Sequence, residues 1–433
     1  MKTQHEQAQH QNEPDDKKSA WFMREPTERE PGEERNNPFA LLILFGLLAL
    51  LWFRGSPTMV LFVVGLVVMI FLHELGHFVT ARLTGMKVTQ FFLGMGPRIW
   101  SFRRGEVEYG LRAIPAGAFV RIVGMNNLDP IEDPADAPRA YMNKSYPRRM
   151  LVITAGSMMH FLQAILLFVV AFSVVGVADP ESAWTVREIS RLETGETPAV
   201  VAGLEVGDTI LSANGVETPE FELLREQLME RGGEVVTLEV RKASGALETV
   251  KVELAEIPTV DGRTIGFLGV GADYSGTERV SPLRALEPFG DVMKASLSMI
   301  PRIFSPDRLA NLGSLMFEGR ADIDMQSKEA ERPVSLVGVV RIAGSDDFDL
   351  ASRIAWLAII NISVGLLNLA PLLPLDGGHA AIATYERLRS GVRGRRAYRA
   401  DVGKLMPLTY GVVGLLGFLF LSTIWLDILR PIG

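Results

Sequence analysis

Two histidines and a glutamate stand in Phe71-Leu72-His73-Glu74-Leu75-Gly76-His77, directly after an uncharged run, Thr58–Leu72, that reads as lipid-soluble helix. A spacing of four sets both imidazoles on one face of a helix, close enough to share one ion. Glu74 lies beside them and can serve as general base toward water at that ion without being a ligand. In a soluble helix this pattern often arises by chance. At membrane depth each ionisable group is costly and by default functional. A purely structural role would require three such groups to be tolerated for nothing. The chain contains no cysteine, so any metal must be held by imidazole, carboxylate and water.

A hydrolytic zinc site usually takes three protein ligands and leaves one position open. The third ligand should occur at the same depth as the two histidines. The run Ile354–Leu375 ends in Asn-Leu-Ala-Pro-Leu-Leu-Pro-Leu-Asp-Gly-Gly-His, Asn368 to His379, so Asp376 terminates one apolar run much as the histidines terminate another. Pro371, Pro374, Gly377 and Gly378 should break that helix. Irregular backbone in a bilayer is tolerated only inside protein or beside a watery cavity, so the break marks a cavity.

These residues need a membrane scaffold to position them. Five uncharged runs stand out: Phe39–Phe53, Thr58–Leu72, Met150–Ala178, Ile354–Leu375 and Leu405–Trp425. The last three reach or approach the roughly 20 residues that span a bilayer. The second gains length if its helix continues through the histidines to about Leu83, and the first is a short span or a re-entrant piece. No cleavable signal peptide is expected, because the first apolar run follows a polar stretch. Residues 1–37 are charged and proline-bearing and read as a disordered tail, holding His5, His10 and a Trp21–Met23 triplet with no assigned role. The net charge of −7 gives no sign of nucleic-acid binding.

Residues 84–149 hold ten Lys/Arg, and 387–404 hold seven against one acid, Asp401. Both loops therefore read as cytoplasmic, and the intervening 179–353 falls on the opposite face. Within it, Ala199–Glu217, then a helical Phe221–Gly233 and an alternating Val235–Leu254, read as strand, turn, helix and hairpin. This stretch resembles a PDZ domain, which binds extended peptides along an exposed sheet edge; a plain spacer is the bland alternative. Residues 283–316 suit an interfacial amphipathic helix against membrane lipid or a soluble helix packed on the PDZ-like domain.

The order of HExxH in one membrane helix, an Asn368-to-Gly378 segment in another and a PDZ-like insert between them resembles the site-2 protease family of intramembrane zinc metalloproteases. The likeness runs from Thr58 to Trp425. It extends to Leu83–Pro97 and Leu369–His379, which resemble the actinobacterial regulators of intramembrane proteolysis. The resemblance implies a polytopic α-helical membrane protein with a core of about four helices plus an N-terminal apolar segment. To this it adds a membrane-associated β-hairpin and an inserted extracytoplasmic PDZ-like α/β domain. The corresponding divisions are 1–37, 38–149, 150–178, 179–276, 277–353 and 354–433, with the active site near the cytoplasmic side of the plasma membrane.

It further implies that His73, His77 and Asp376 bind Zn2+, that Glu74 is general base and later proton donor, and that Asn368 holds the substrate backbone. Residues 104–124 match the family's β-hairpin. Their alternation at Val107, Tyr109 and Leu111 independently suits a strand that could clamp an extended substrate. Ala155–Phe161 matches a family segment, with Ser157 in place of proline and His160 in place of asparagine. His160 is an oxyanion donor, a fourth ligand or a satisfied interhelical polar group. His379 reads as a neighbour of the site rather than a ligand.

The implied activity is cleavage of the transmembrane segment of a single-span regulatory protein, of anti-sigma-factor type, after a first extracytoplasmic cut. A metal transporter or sensor would need further ligands along a path, and the other uncharged runs hold no carboxylate. A scaffold with a degenerate site is disfavoured, because neither His73–His77 nor Leu375–Gly378 is degenerate.

Overall fold

The computed structural model describes residues 57–429 except 126–130, 132, 191–196, 259–263, 304, 307–309, 311–333, 336–337, 342–348 and 394–397, together with Gly46, Ala49, Trp52 and Phe53. The tail 1–37, its Trp21–Met23 triplet and the crossing assigned to Phe39–Phe53 lie outside the described residues or rest on too few of them.

Helix α1, Pro57–Leu83, carries the uncharged run unbroken through the histidines. Many of its residues are β-branched and would weaken a helix in water. In lipid the helix is retained because every backbone group is satisfied within it. Its threonines follow the same rule, Thr80 Oγ1 donating to the Gly76 carbonyl at 2.7 Å and Thr84 Oγ1 to that of Thr80 at 2.7 Å.

A hairpin follows, β1 Val88–Arg104 and β2 Val107–Ile122, antiparallel and joined at Gly105–Glu106. This corrects the sequence reading, which set the hairpin at 104–124 and so saw only its turn and second arm. In the missed arm 90–93 lies between 118–121 and 108–111 of β2 while 98–104 pairs with 107–112, and the adjacent Phe91 and Phe92 are both buried, so the period-2 signal is lost. The hairpin sits on the membrane helices through Met86, Val88, Phe91, Val107 and Ile122, which pack with Ala81, Val152, Ile153 and Ala383.

Helix α2, Tyr146–Val169, has a proline in its first turn and continues through a π-helical turn, Val170–Val175. The chain then leaves for an inserted α/β domain. Its strands are β3 Trp184–Ile189, β4 Thr209–Ala213 and β5 Val216–Glu217, then, after helix α3 (Phe221–Met229), β6 Val235–Arg241, β7 Leu247–Glu253, β8 Ala255–Pro258, β9 Thr264–Phe267 and β10 Val270–Tyr274. A four-stranded antiparallel sheet in the order β5-β4-β6-β7 encloses a core that includes Trp184, Ile210, Leu224, Leu238 and Leu254. Two short strands, Val177–Ala178 and Thr277–Glu278, pair where the chain enters and leaves.

Helix α4, Glu287–Ile303, presents Phe289, Val292 and Met293 to a cluster formed by Ala164 and Phe168 of α2 with Ala358 and Ile362 of the next helix. Its principal packing is therefore against membrane helices and not against the α/β domain. That next helix, α5 Leu350–Asn368, stops where the prolines begin; α6, Asp376–Arg393, starts at the aspartate, and α7, Met406–Leu429, closes the described chain. Among the described residues four spans are long and apolar enough to cross a membrane: Val60–Leu83, Tyr146–Val175, Leu350–Asn368 and Val402–Leu429. Helix α2 packs against α1, α5 and α6, so it is the member that joins the two histidines to the aspartate.

Candidate metal centre

His73 and His77 stack on one face of α1, both buried, with Nε2 atoms 3.2 Å apart. Asp376, first residue of α6, brings Oδ2 to 3.4 Å from His73 Nε2 and 3.3 Å from His77 Nε2. Side chains separated by about 300 residues thus close a nearly equilateral triangle. At that helix N-terminus the carboxylate also faces the positive end of the backbone dipole.

The turn that delivers Asp376 depends on its two glycines. A Cβ on Gly377 would lie 2.2 Å from the Leu369 carbonyl oxygen, and one on Gly378 would lie 2.6 Å from the Leu373 nitrogen. On the other side of the triangle Gly156 of α2 leaves the room: a Cβ there would stand 2.3 Å from His77 Nε2 and 2.5 Å from His73 Cε1.

The protonation pattern calls for a cation. His77 Nδ1 donates to the Val152 carbonyl at 2.7 Å, so the neutral ring carries a lone pair at Nε2. Asp376 Oδ2 is buried and makes no hydrogen bond. Two acceptors therefore face each other at 3.3 Å with nothing donated between them. A tetrahedral zinc with bonds of about 2.0–2.1 Å has ligand-to-ligand edges of about 3.3–3.4 Å, which is the size of this triangle. The bond from Val152 to the far nitrogen is the support that metal-ligating imidazoles commonly have.

Glu74 is half-buried on the adjoining face of α1, and the backbone of Val120 on β2 reaches its carboxylate. The other sequence-designated residues fall less closely. His160 lies outside the three-donor group, its ring centroid 4.8 Å from that of His73. Its Nδ1 meets Asn361 Oδ1 at 3.0 Å, and the Asn361 amide NH2 is committed to the Leu357 carbonyl at 2.8 Å. Nδ1 is therefore the donor. The neutral ring has no proton left at Nε2, so it cannot serve as an oxyanion donor in that form. The contact observed is interhelical, α2 to α5.

Asn368 is half-buried at the end of α5 and has no hydrogen bond to the triangle. On the hairpin, the Val107 side chain is wholly buried in the packing under β2. Tyr109 stacks on Phe102 at 5.4 Å, and Leu111 pairs across the hairpin with Leu93 and Trp100. His379 lines a small chamber with Arg149, Glu386 and Arg399, beside the site.

Sequence reasoning missed Asn361, Gly156 and the Arg149–Glu386 pair. Arg149 Nη1 donates to Glu386 Oε2 at 2.7 Å, both buried, which fastens α2 to the helix that starts with Asp376. Arg149 was counted only as loop charge, and nothing in the one-dimensional pattern pairs it with a residue so far along the chain.

Two imidazoles and a carboxylate closing on one point among lipid-length helices, with a second carboxylate beside them, define a membrane-embedded zinc hydrolase. The model of Peptidase family M50 matches residues 61–405, and the protein belongs to that family of zinc metalloproteases, with zinc as its cofactor. It is 32% identical over 407 residues to zinc metalloprotease Rip1 of Mycobacterium tuberculosis, covering 86% of this chain and 97% of that protein. To the Rip1 of Mycolicibacterium smegmatis it is 31% identical over 411 residues, covering 86% and 98%.

Proposed function

We propose that this membrane metalloprotease cuts within the transmembrane segment of single-span regulatory proteins, of anti-sigma-factor type, after another protease has removed their outer domain. The observation that supports this reading is the triangle of donors with edges of 3.2–3.4 Å set among helices of membrane-spanning length. His73, His77 and Asp376 hold the ion. When bound there, zinc polarises the scissile carbonyl and makes water a nucleophile at neutral pH. Glu74 takes the proton from the attacking water and returns it to the leaving amide nitrogen. Gly156 keeps the floor of the site open, and the Val152 carbonyl fixes the ring of His77.

A helical substrate shields its own peptide bonds, so it must be extended before attack. The β1–β2 sheet, in which 90–93 and 108–111 are interior, has outer edges along 98–104 and 118–122 on which such a segment adds as a strand. Asn368, at the break between α5 and α6, is suited to hold the unwound backbone. The basic loops at 84–149 and 387–404 set the active site toward the cytoplasm. The inserted domain, read as PDZ-like from Ala199–Leu254, then lies outside and acts as a size filter against substrates whose outer domain is intact.

The test is Glu74→Gln in cells with a co-expressed, tagged single-span regulator. Bound zinc stays near one per chain by elemental analysis, and the pre-trimmed substrate accumulates uncut. Wild-type cleavage by this variant removes Glu74 from the chemistry.

A further inference from the structure

Away from the metal, where α1 ends and the hairpin turns, an open cleft of about 730 Å³ is walled by Phe78, Phe102 and Tyr109 and rimmed by Arg82, Arg104 and Glu106. The aromatic wall is continuous, Tyr109 lying 5.8 Å from Phe78 and 5.4 Å from Phe102 between ring centroids. Its charge is not balanced. Glu106 is taken up by Arg139, which donates twice, at 2.8 and 2.5 Å. Arg82 and Arg104 form no ion pair with a carboxylate among the described residues; Arg82 lies over the Phe78 ring at 5.8 Å. With Glu106 claimed by Arg139, the rim keeps a net positive charge from Arg82 and Arg104 over an apolar floor.

The depth of the cleft says what fits. Arg82 is in the last turn of a membrane-length helix, and the next residue, Leu83, is 80% exposed. The outer surface of the hairpin adds Trp100, Phe102 and Ile114, all exposed. Exposed aromatic residues and arginines at a helix end mark the headgroup level of a bilayer. We propose that this cleft binds the headgroup of an anionic phospholipid, its phosphodiester between Arg82 and Arg104 and its upper acyl chain against Phe78, Phe102 and Tyr109. Each arginine should favour an anionic over a zwitterionic headgroup by about fivefold at low salt. The hairpin turn would then be tied to the lipid surface next to the helix that carries the histidines.

The full-length protein in detergent is titrated with tail-labelled phosphatidylglycerol and with phosphatidylcholine of the same chains, and dissociation constants are read by thermophoresis. Phosphatidylglycerol binds at least tenfold more tightly. The double variant Arg82→Gln, Arg104→Gln loses that preference, whereas Arg103→Gln, one residue along the strand and so on its other face, keeps it. Glycerol phosphate at millimolar concentration does not displace the lipid, which separates a phospholipid site from a free-anion site. Should the double variant fail to fold, wild-type protein labelled by phosphatidylglycerol with a photoreactive headgroup gives a second reading, with adducts on Phe102, Tyr109 or the adjoining turn. Equal binding of the two lipids, an unchanged preference in the double variant, displacement by glycerol phosphate, or adducts confined to other surfaces overturns the proposal.

Discussion

Two carboxylates with buried oxygens, one in the membrane bundle and one in the inserted domain, are treated in opposite ways. Asp208 in the α/β domain is wholly buried and fully paired, receiving Lys242 Nζ at 2.8 Å and the backbone N–H groups of Glu205 at 2.8 Å and Ala243 at 3.0 Å. Asp376 has a buried oxygen with no donor, facing imidazole lone pairs. An unsatisfied buried acceptor costs on the order of 1–3 kcal/mol and is not retained by chance. A satisfied carboxylate locks a loop, whereas an unsatisfied one beside two histidines is waiting for a cation.

The strongest way to break this comparison is Asp376→Ala. Because Asp376 gives the metal-free fold so little, the variant keeps its thermal stability in the presence of chelator while bound zinc falls below about a tenth of one per chain and cleavage is lost. Unfolding of the variant, or retention of zinc, would make Asp376 structural like Asp208. Next in size is Arg149→Ala. It removes the nearer of two arginines from Glu386, whose side chain is 7% exposed, leaving Arg399 at 3.5 Å and the Ala400 N–H at 2.8 Å, and should cost about 1–3 kcal/mol. Thermal melts and hydrogen exchange in α6 read it, and zinc affinity falls only through the loosened helix.

Smaller still is Gly156→Ala. The new methyl must push the imidazoles apart, since it would come within 2.3 Å of His77 Nε2. A ten- to hundredfold loss of zinc affinity is expected by competition with a chromophoric chelator, the range usual for disturbing a ligand's support. An unchanged affinity would mean that α2 backs away from α1 at no cost.

How much of this was legible in the sequence follows from what each element has to satisfy. Helix α1 and the break before Asp376 were readable because lipid imposes a simple rule, long uncharged runs with polar residues only where they serve. The strands and α3 of the inserted domain were readable because Asn214-Gly215 and the alternation from Val235 announce turns and faces. The first arm of the hairpin was hidden because the successive Phe91 and Phe92 are both buried, which erases the alternation. Val107 illustrates a different limit: alternation assigns it to a face, yet only the packing of β2 on Ala81 and Val152 shows that this face is covered. The Asn361–His160 and Arg149–Glu386 contacts join helices distant in the chain, and no local pattern encodes such pairing.

The smallest effect is a pH dependence of the inserted domain that Asp208 should set. Burial pushes the Asp208 carboxyl up, but the hydrogen bond from Lys242 and those from the Glu205 and Ala243 backbones outweigh it and hold the carboxyl below its ordinary 3.8. The unfolded chain therefore takes up a proton first as pH falls. The stability contributed by Asp208 is complete above the unfolded value and is lost as pH drops through the lowered folded one. Hydrogen exchange in β4 and β6 of the full-length protein, corrected for intrinsic rates, should show protection falling as pH drops below the ordinary carboxyl value of 3.8. Asp208→Asn abolishes that slope while lowering protection at neutral pH, because an amide cannot repeat the charged contact with Lys242. A slope that survives in Asp208→Asn would assign the acid sensitivity to other carboxylates and end the contrast at this residue.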